Sequence, residues 1–124
     1  NKIRLISYGG VKKENVVIPN NVIVIENDAF NATKLKSITI PDSVTTIGSY
    51  AFVNNQLTSI KIPSGVTNIY AGTFLNNHLT SITIPSNVTI QTNSISQTFY
   101  DAYNPTKAGG TYTASSQTGT WTKQ

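Results

Sequence analysis

The 124-residue chain has no cysteine and no methionine, and only 11% of its residues are charged. Without cysteine it can form neither a disulfide nor a zinc–thiolate site, so side-chain packing must hold the fold together. A run of about 18 apolar residues is also missing, which excludes an apolar membrane-spanning helix. The first residues, NKIRLISYGG, lack the long apolar segment of a signal peptide, and this fits either a mature chain or an excised fragment.

The charges that are present favour one sign only slightly. Nine basic and five acidic residues give a net charge of +4, and the basic residues are spread along the chain. Proteins that bind nucleic acid usually concentrate lysine and arginine on one face. We therefore predict a mildly basic surface and no nucleic-acid partner.

The dominant feature of the sequence is a repeat. The dipeptide Ile-Pro occurs four times, at a constant spacing of 22 residues, and leucine, valine, isoleucine and phenylalanine recur in register around it. The four copies of the dipeptide are Ile18-Pro19, Ile40-Pro41, Ile62-Pro63 and Ile84-Pro85. A fixed period of this length is typical of a solenoid, and 22 residues suit one coil of a leucine-rich repeat.

Local chemistry supports this interpretation. Ile38 and Ile40 alternate with small polar residues, as in a strand with one buried face. Pro41 lacks a backbone donor and ends that strand. Residues 48–52, GSYAF, can form one short helical or 3-10 turn. A single coil cannot bury its own apolar side chains, so stacked coils must bury them against each other in columns.

Asparagine pairs occupy corresponding corners of two coils, at residues 54–55 and 76–77. Asparagine side chains can bond to free backbone groups in turns. We predict that these residues form a structural ladder and are not ligands for a bound molecule.

Residues 35–55, LKSITIPDSVTTIGSYAFVNN, match the pattern LxxIxIPxxVxxIGxxAFxxN position by position. This unit resembles the BspA-like leucine-rich repeats of bacterial surface proteins, over roughly residues 13–90. Three copies depart from the pattern. Glu26 and Tyr70 replace its glycine, Thr73 replaces its alanine, and Gln91 stands where the last isoleucine is expected. The predicted fold class is thus a mainly β solenoid of about four 22-residue coils.

We predict a single domain over residues 1–124, with caps at both ends because a bare solenoid end exposes apolar columns. Residues 1–12, with a Gly9-Gly10 turn and the VVI segment at 16–18, are predicted to form an N-terminal hairpin cap; residues 13–90 hold the repeats. Residues 91–124 form the C-terminal cap, in which 110–113 pair with 119–122 in a second hairpin. Five aromatic residues are expected to cover the last coil: Phe99, Tyr100, Tyr103, Tyr112 and Trp121.

No set of residues indicates catalysis. His78 is the only histidine and falls at a corner between coils, with no local signature of a serine triad. The glycine pairs do not fit a phosphate-binding loop. We therefore predict a non-enzymatic protein with no catalytic residue, no metal site and no cofactor.

The remaining candidates are strand residues that face away from the core. They form two rows: Val17, Thr39, Lys61 and Thr83, and beside them Asn15, Ser37, Ser59 and Ser81. Solenoids bind partners on such extended faces, and we predict that the partner is a protein. The predicted binding residues are Ser37, Thr39, Ser59, Lys61, Ser81 and Thr83.

The family resemblance implies an extracellular or cell-surface module that attaches to host matrix proteins or to other cells. Because both ends are predicted to be capped, a monomer is expected. Two alternatives remain open. One is a passive spacer that holds another domain away from the cell. The other is a carbohydrate-binding accessory domain that uses Tyr103, Tyr112 and Trp121 as an aromatic platform.

Overall fold

Each coil contributes two short strands, one before and one after its Ile-Pro corner. The computed structural model describes residues 3–5, 7–8, 13–116 and 118–124. Its strands are β1 (Ile3–Leu5), β2 (Asn15–Val17), β3 (Val22–Ile25), β4 (Ser37–Thr39), β5 (Thr46–Ile47), β6 (Ser59–Lys61), β7 (Asn68–Ile69), β8 (Ser81–Ile84), β9 (Thr89–Ile90), β10 (Gly110–Thr113) and β11 (Thr122–Lys123). Helix α1 spans Gln97–Tyr103. The architecture is a β-solenoid of about four coils, as the repeat predicts.

Strands of successive coils pair in parallel and align in two stacks, which we call the first and the second sheet, although each stack is hydrogen-bonded in two parts. On the first sheet β2 pairs with β4 and β6 pairs with β8, each residue opposite the one 22 positions later, and β4 lies beside β6. On the second sheet β3 pairs with β5 and β7 pairs with β9, while β5 lies beside β7. The sequence period is therefore the distance along the chain between neighbouring strands.

The core between the sheets consists of columns of identical or similar side chains. Phe30, Phe52 and Phe74 stack with ring centroids 5.1 Å and 5.4 Å apart. All three rings are at most 1% exposed. Stacking hides both faces of the middle ring, so every coil depends on its neighbours for burial.

The predicted short helical turn is present as separate turns. Ala51 N–H donates to the carbonyl of Gly48 and Val53 N–H to that of Tyr50, both at 3.3 Å. Tyr50 between them has a φ of 57°, and the corresponding Asp28 and Gly72 have φ values of 60° and 65°. A residue in the left-handed conformation cannot continue a right-handed helix, so the turns at each corner do not extend into a helix.

The asparagine ladder is confirmed, and it has an inner and an outer row. Asn77 is 1% exposed; its Oδ1 accepts from Leu57 N–H at 3.0 Å and its Nδ2 donates to the Phe52 carbonyl at 2.9 Å. Asn55 repeats this arrangement one coil earlier. In the outer row Asn76 Nδ2 donates to Asn54 Oδ1 at 2.8 Å. The inner amides satisfy backbone groups that the corners leave unpaired.

The C-terminal hairpin is confirmed, although its second strand lies further along the chain than predicted. β10 pairs antiparallel with β11, which spans residues 122–123, and also with β8. Helix α1 closes the last coil, and Tyr103 binds both sides of its corner. The hydroxyl of Tyr103 donates to the Pro85 carbonyl at 2.7 Å and accepts from Val88 N–H at 2.9 Å.

The last coil is completed in spite of Gln91. Ile90 pairs with Ile69, one residue earlier than the period requires, and Ile90 is 5% exposed. Shortening the coil by one residue thus brings an isoleucine into the column, and Gln91 stays exposed.

The predicted N-terminal hairpin is wrong for the residues that the structure describes. β1 pairs in parallel with β3, with Leu5 opposite Ile25. The ring of Tyr8 stacks on Phe30 at 4.9 Å, and Tyr8 N–H donates to the Ala29 carbonyl at 2.7 Å. Leu5 and Tyr8 can extend existing apolar columns only if this segment stacks as a partial coil before the first full coil. Gly9-Gly10, the predicted turn, lies outside the described residues.

Candidate binding surface

The six predicted binding residues lie on the outer face of the first sheet. Pairing places Ser59 opposite Ser81 and Lys61 opposite Thr83, so the two predicted rows run from coil to coil. Adjacent strands in such a sheet lie about 4.8 Å apart. We call the following set the polar sheet face: Asn15, Val17, Ser37, Thr39, Ser59, Lys61, Ser81 and Thr83.

Most of the polar sheet face is open to solvent. The members in β2, β4 and β6 are exposed, and Val17, at 75%, is the most open large apolar residue in the described part of the chain. Ser37 Oγ donates to Asn15 Oδ1 at 2.6 Å, which links two rungs of one row. The other hydroxyls offer both a donor and acceptor positions to a partner.

The C-terminal hairpin extends this face, which the sequence analysis did not predict. Thr111 lies opposite Thr83, and their hydroxyl oxygens are 2.8 Å apart. Thr113 lies opposite both Ser81 and Thr122. Ser81 and Thr83 are consequently half-buried inside the face instead of forming its edge. The alternation in GTYT over 110–113 was the available signal.

Lys61 supplies the charge of the polar sheet face. Within the described parts of the chain, the ion pairs join Arg4 to Glu26 and Lys36 to Glu14, and neither involves Lys61. Lys61 is exposed in the central coils, with hydroxyl-bearing residues on both sides in its row. The face therefore presents one cation in a field of neutral hydroxyls.

The aromatic platform proposed as an alternative is wrong. Tyr103, Tyr112 and Trp121 are 0%, 3% and 4% exposed. Phe99 packs against Trp121 edge to face, with centroids 5.2 Å apart. Burial raises the pKa of Tyr103, although the bond from the Val88 backbone opposes this and Tyr112 adds to it. Rings buried in this way have no free face on which a sugar could stack.

His78 is exposed at its corner, as predicted, and its backbone N–H donates to the Leu57 carbonyl at 2.9 Å. Across the described ranges, no cluster of three or more histidine, cysteine, aspartate or glutamate residues could hold a metal ion. In the same ranges, no helix has the length and apolar character needed to cross a membrane.

The second sheet carries a surface that the sequence analysis missed. A cleft of about 360 Å³ opens where its strands end, and Gly48 is one of the residues that line it. We call this the Gly48 cleft, and its polar and aromatic lining residues are Arg4, Glu26, Asn27, Thr46, Ser49 and Tyr70. The departures of Glu26 and Tyr70 from the repeat pattern were the available signal.

Parallel coils, a 22-residue offset and an exposed strand face define a leucine-rich-repeat scaffold. A family model described as BspA type leucine-rich repeat region matches residues 1–104 in six copies, and the chain belongs to that family. No curated protein and no solved structure matches the chain. Repeats of this family occur in bacterial surface proteins and are typically non-enzymatic scaffolds for protein–protein interaction.

Proposed function

We propose that this domain binds a protein partner through the polar sheet face, as an adhesion module of a secreted or surface-exposed bacterial protein. Host extracellular-matrix proteins are the partner class that we propose. The observation that carries the proposal is the alignment of exposed polar side chains over four coils, since register pairing joins β2 to β4 and β6 to β8, and β4 lies beside β6. Three of its hydroxyl-bearing members, Ser59, Ser81 and Thr83, belong to β6 and β8, which are hydrogen-bonded to each other.

The composition of the face limits its affinity. Binding hot spots are enriched in tryptophan, tyrosine and arginine, and the polar sheet face contains none of them. Short hydroxyl side chains lose little conformational entropy when they are immobilised, but each contributes only one or two hydrogen bonds. A single domain should therefore bind weakly, and several copies on one cell would raise the avidity without any new contact.

Charge indicates where the partner would be anchored. Lys61 is exposed and is free of the ion pairs seen in the described part of the chain, so an acidic side chain of the partner can reach it. Val17 offers the partner an apolar contact on the same row. The proposed complex joins hydroxyl hydrogen bonds to one ion pair, and its strength should fall as salt increases.

Surface binding tests this proposal directly. Immobilised domain, first shown to be monomeric by sedimentation, is exposed to fibronectin, fibrinogen and collagen at physiological salt. Thr39→Glu with Lys61→Glu should weaken saturable binding at least about tenfold, because it reverses the central charge. Lys34→Glu with Thr45→Glu makes the same change in charge at exposed positions outside the face, and it serves as the control.

Equal loss in both double variants would contradict a site on the polar sheet face and would indicate general electrostatic attraction. Unchanged binding in the face variant would move the site elsewhere. If none of the matrix proteins binds, the passive spacer becomes the better account, since stacked coils can separate other domains without contacting a ligand.

A further inference from the structure

The Gly48 cleft is formed by three residues that share one position of the repeat. Residues 26, 48 and 70 are 22 positions apart, and the pattern places glycine there. Only Gly48 keeps it, while Glu26 and Tyr70 provide side chains on the coils before and after. The second sheet stacks these coils, so Gly48 lines the cleft between acidic Glu26 and aromatic Tyr70.

The floor of the cleft is fixed by backbone contacts. A Cβ atom on Gly48 would lie 2.5 Å from the backbone nitrogen of Asn27, so no side chain can occupy this place. Gly48 N–H donates to the Ile25 carbonyl at 2.8 Å, and Asn27 Oδ1 accepts from Ser49 N–H at 2.8 Å. These bonds leave the amide nitrogen of Asn27 available to a ligand.

The electrostatics of the cleft favour a neutral ligand. Arg4 pairs with Glu26, so the acidic wall has no net charge to attract an ion of either sign. Around this pair, Thr46, Ser49 and Tyr70 contribute hydroxyl groups for which no protein hydrogen bond is found in the described ranges. A ligand rich in hydroxyl groups can bond to such a lining in both directions.

Tyr70 adds an apolar ring to this polar lining. Tyrosine combines an apolar ring face with a polar tip, and this suits a molecule that has C–H groups on one face and hydroxyls at its rim. The cleft volume of about 360 Å³ is near the lower end of ligand sites in proteins, which favours one or two rings over a larger ligand.

We propose that the Gly48 cleft binds a neutral sugar unit of a glycan, with the Tyr70 ring on one sugar face and the Glu26, Asn27 and Ser49 side chains on its hydroxyls. This site lies on the second sheet and is independent of the polar sheet face. Because the cleft is shallow and the ligand small, we expect a Kd on the order of 1 mM for a single sugar.

Amide-detected NMR titration of the whole chain tests the assignment. The probes are neutral oligosaccharides ending in glucose, galactose, mannose or N-acetylglucosamine, with sialylated and sulfated glycans as a separate arm. We expect a neutral glycan to shift the amide signals of Asn27, Gly48 and Ser49 in a saturable manner. The amides of 37–39 and 59–61, on the other sheet, should stay in place.

Variants separate this site from non-specific contact. Tyr70→Ala and Glu26→Gln should each weaken binding at least tenfold, whereas Tyr70→Phe should retain it because the ring remains. Tyr50→Ala is the matched control, since Tyr50 is exposed, lies one coil before Tyr70 and does not line the cleft. Retained folding of each variant is read from the dispersion of the same spectra.

Four results would overturn the proposal. The first is an absence of shifts with any neutral glycan at 10 mM, which is roughly ten times the Kd expected for so small a ligand. The second is binding only to sialylated or sulfated glycans. The third is an equal loss of binding in Tyr50→Ala and Tyr70→Ala, and the fourth is shifts confined to the first sheet.

Discussion

The inner asparagine row makes a quantitative prediction about stability. In Asn77→Ala the Leu57 N–H loses its acceptor, and the Phe74 carbonyl loses the amide that donates to it at 3.1 Å. Both of these residues are at most 1% exposed, so water cannot replace the missing partner. The Phe52 carbonyl loses one donor as well, but it keeps Asn55 Nδ2 at 3.1 Å.

The expected cost follows from these unpaired groups. A buried donor or acceptor left without a partner costs about 1–3 kcal/mol. Two such groups, Leu57 N–H and Phe74 C=O, therefore predict that Asn77→Ala lowers the free energy of unfolding by about 3 kcal/mol. Small domains have about 5–15 kcal/mol in total, so the variant should still fold and its loss should be easy to measure.

Urea unfolding measures this loss through Trp121 fluorescence in the cap and through far-UV circular dichroism of the coils. Asn76→Gly is the control, because Asn76 is the adjacent, exposed asparagine with a φ of 56° that glycine adopts without strain. It should change stability by no more than about 0.5 kcal/mol. If Asn77→Ala costs as little as the control, buried amide bonds do not hold the corners and the reasoning is refuted.

Two further substitutions test the cap and the corners. Tyr103→Phe should cost about 2 kcal/mol at neutral pH, because it leaves Pro85 C=O and Val88 N–H without a partner. Burial raises the pKa of Tyr103 in the folded state, so the contribution of Tyr103 to stability is complete below the unfolded pKa of about 10 and is lost as pH rises past it. In urea unfolding from pH 8 to 11, the free energy of unfolding should therefore decline less in Tyr103→Phe than in the unmodified protein. An equal decline in both would contradict this reasoning. Gly72→Ala should cost about 1–2 kcal/mol, because Gly72 has a φ of 65° and an added Cβ would lie 2.2 Å from the ring of Tyr50. A thermal melt of the double variant with Tyr50→Asn should recover the steric part, and no recovery would show that the ring simply moves aside.

The columns and the ladder could be predicted from the sequence because their information is local and repeated. The burial of Phe52 follows from Phe30 and Phe74, which occupy the same place in their own coils. Asn55 and Asn77 likewise sit at one corner type, so a structural role in one coil implies the same role in the next. The outward position of Thr39 and Lys61 follows from strand alternation in the same way.

The ends could not be predicted so well because their pairing is not local. Residues 3–5 alternate as any strand does, and the alternation cannot distinguish a hairpin with β2 from parallel pairing with β3. The position of Tyr8, 22 residues before Phe30, was the better signal, since it continues an apolar column. The alternation over residues 110–113 indicates a strand, but nothing near it in sequence specifies β8 as its partner.

The aromatic residues of the cap show a different limit of sequence reasoning. Aromatic residues such as Trp121 and Tyr103 suit both a sugar-binding surface and a cap over the last coil, and the sequence alone does not distinguish these two roles. The last coil exposes an apolar end, which only large side chains can cover, and burial of these rings follows from that demand. Any glycan site must then use aromatic residues that the core does not need.

Tyr70 meets that condition, and the reason lies in how the repeat constrains its members. Its position is outside the apolar columns, so a large side chain there leaves coil stacking intact, as Glu26 shows two coils earlier. Gly48 has no such freedom, because Asn27 occupies the space of its Cβ. At this repeat position the sequence therefore departs from its pattern where stacking permits, and Glu26 and Tyr70 flank the one member that must stay glycine. A cleft results from the coil stack itself, and its polar chemistry is set by Glu26 and Tyr70, which lie outside the apolar columns.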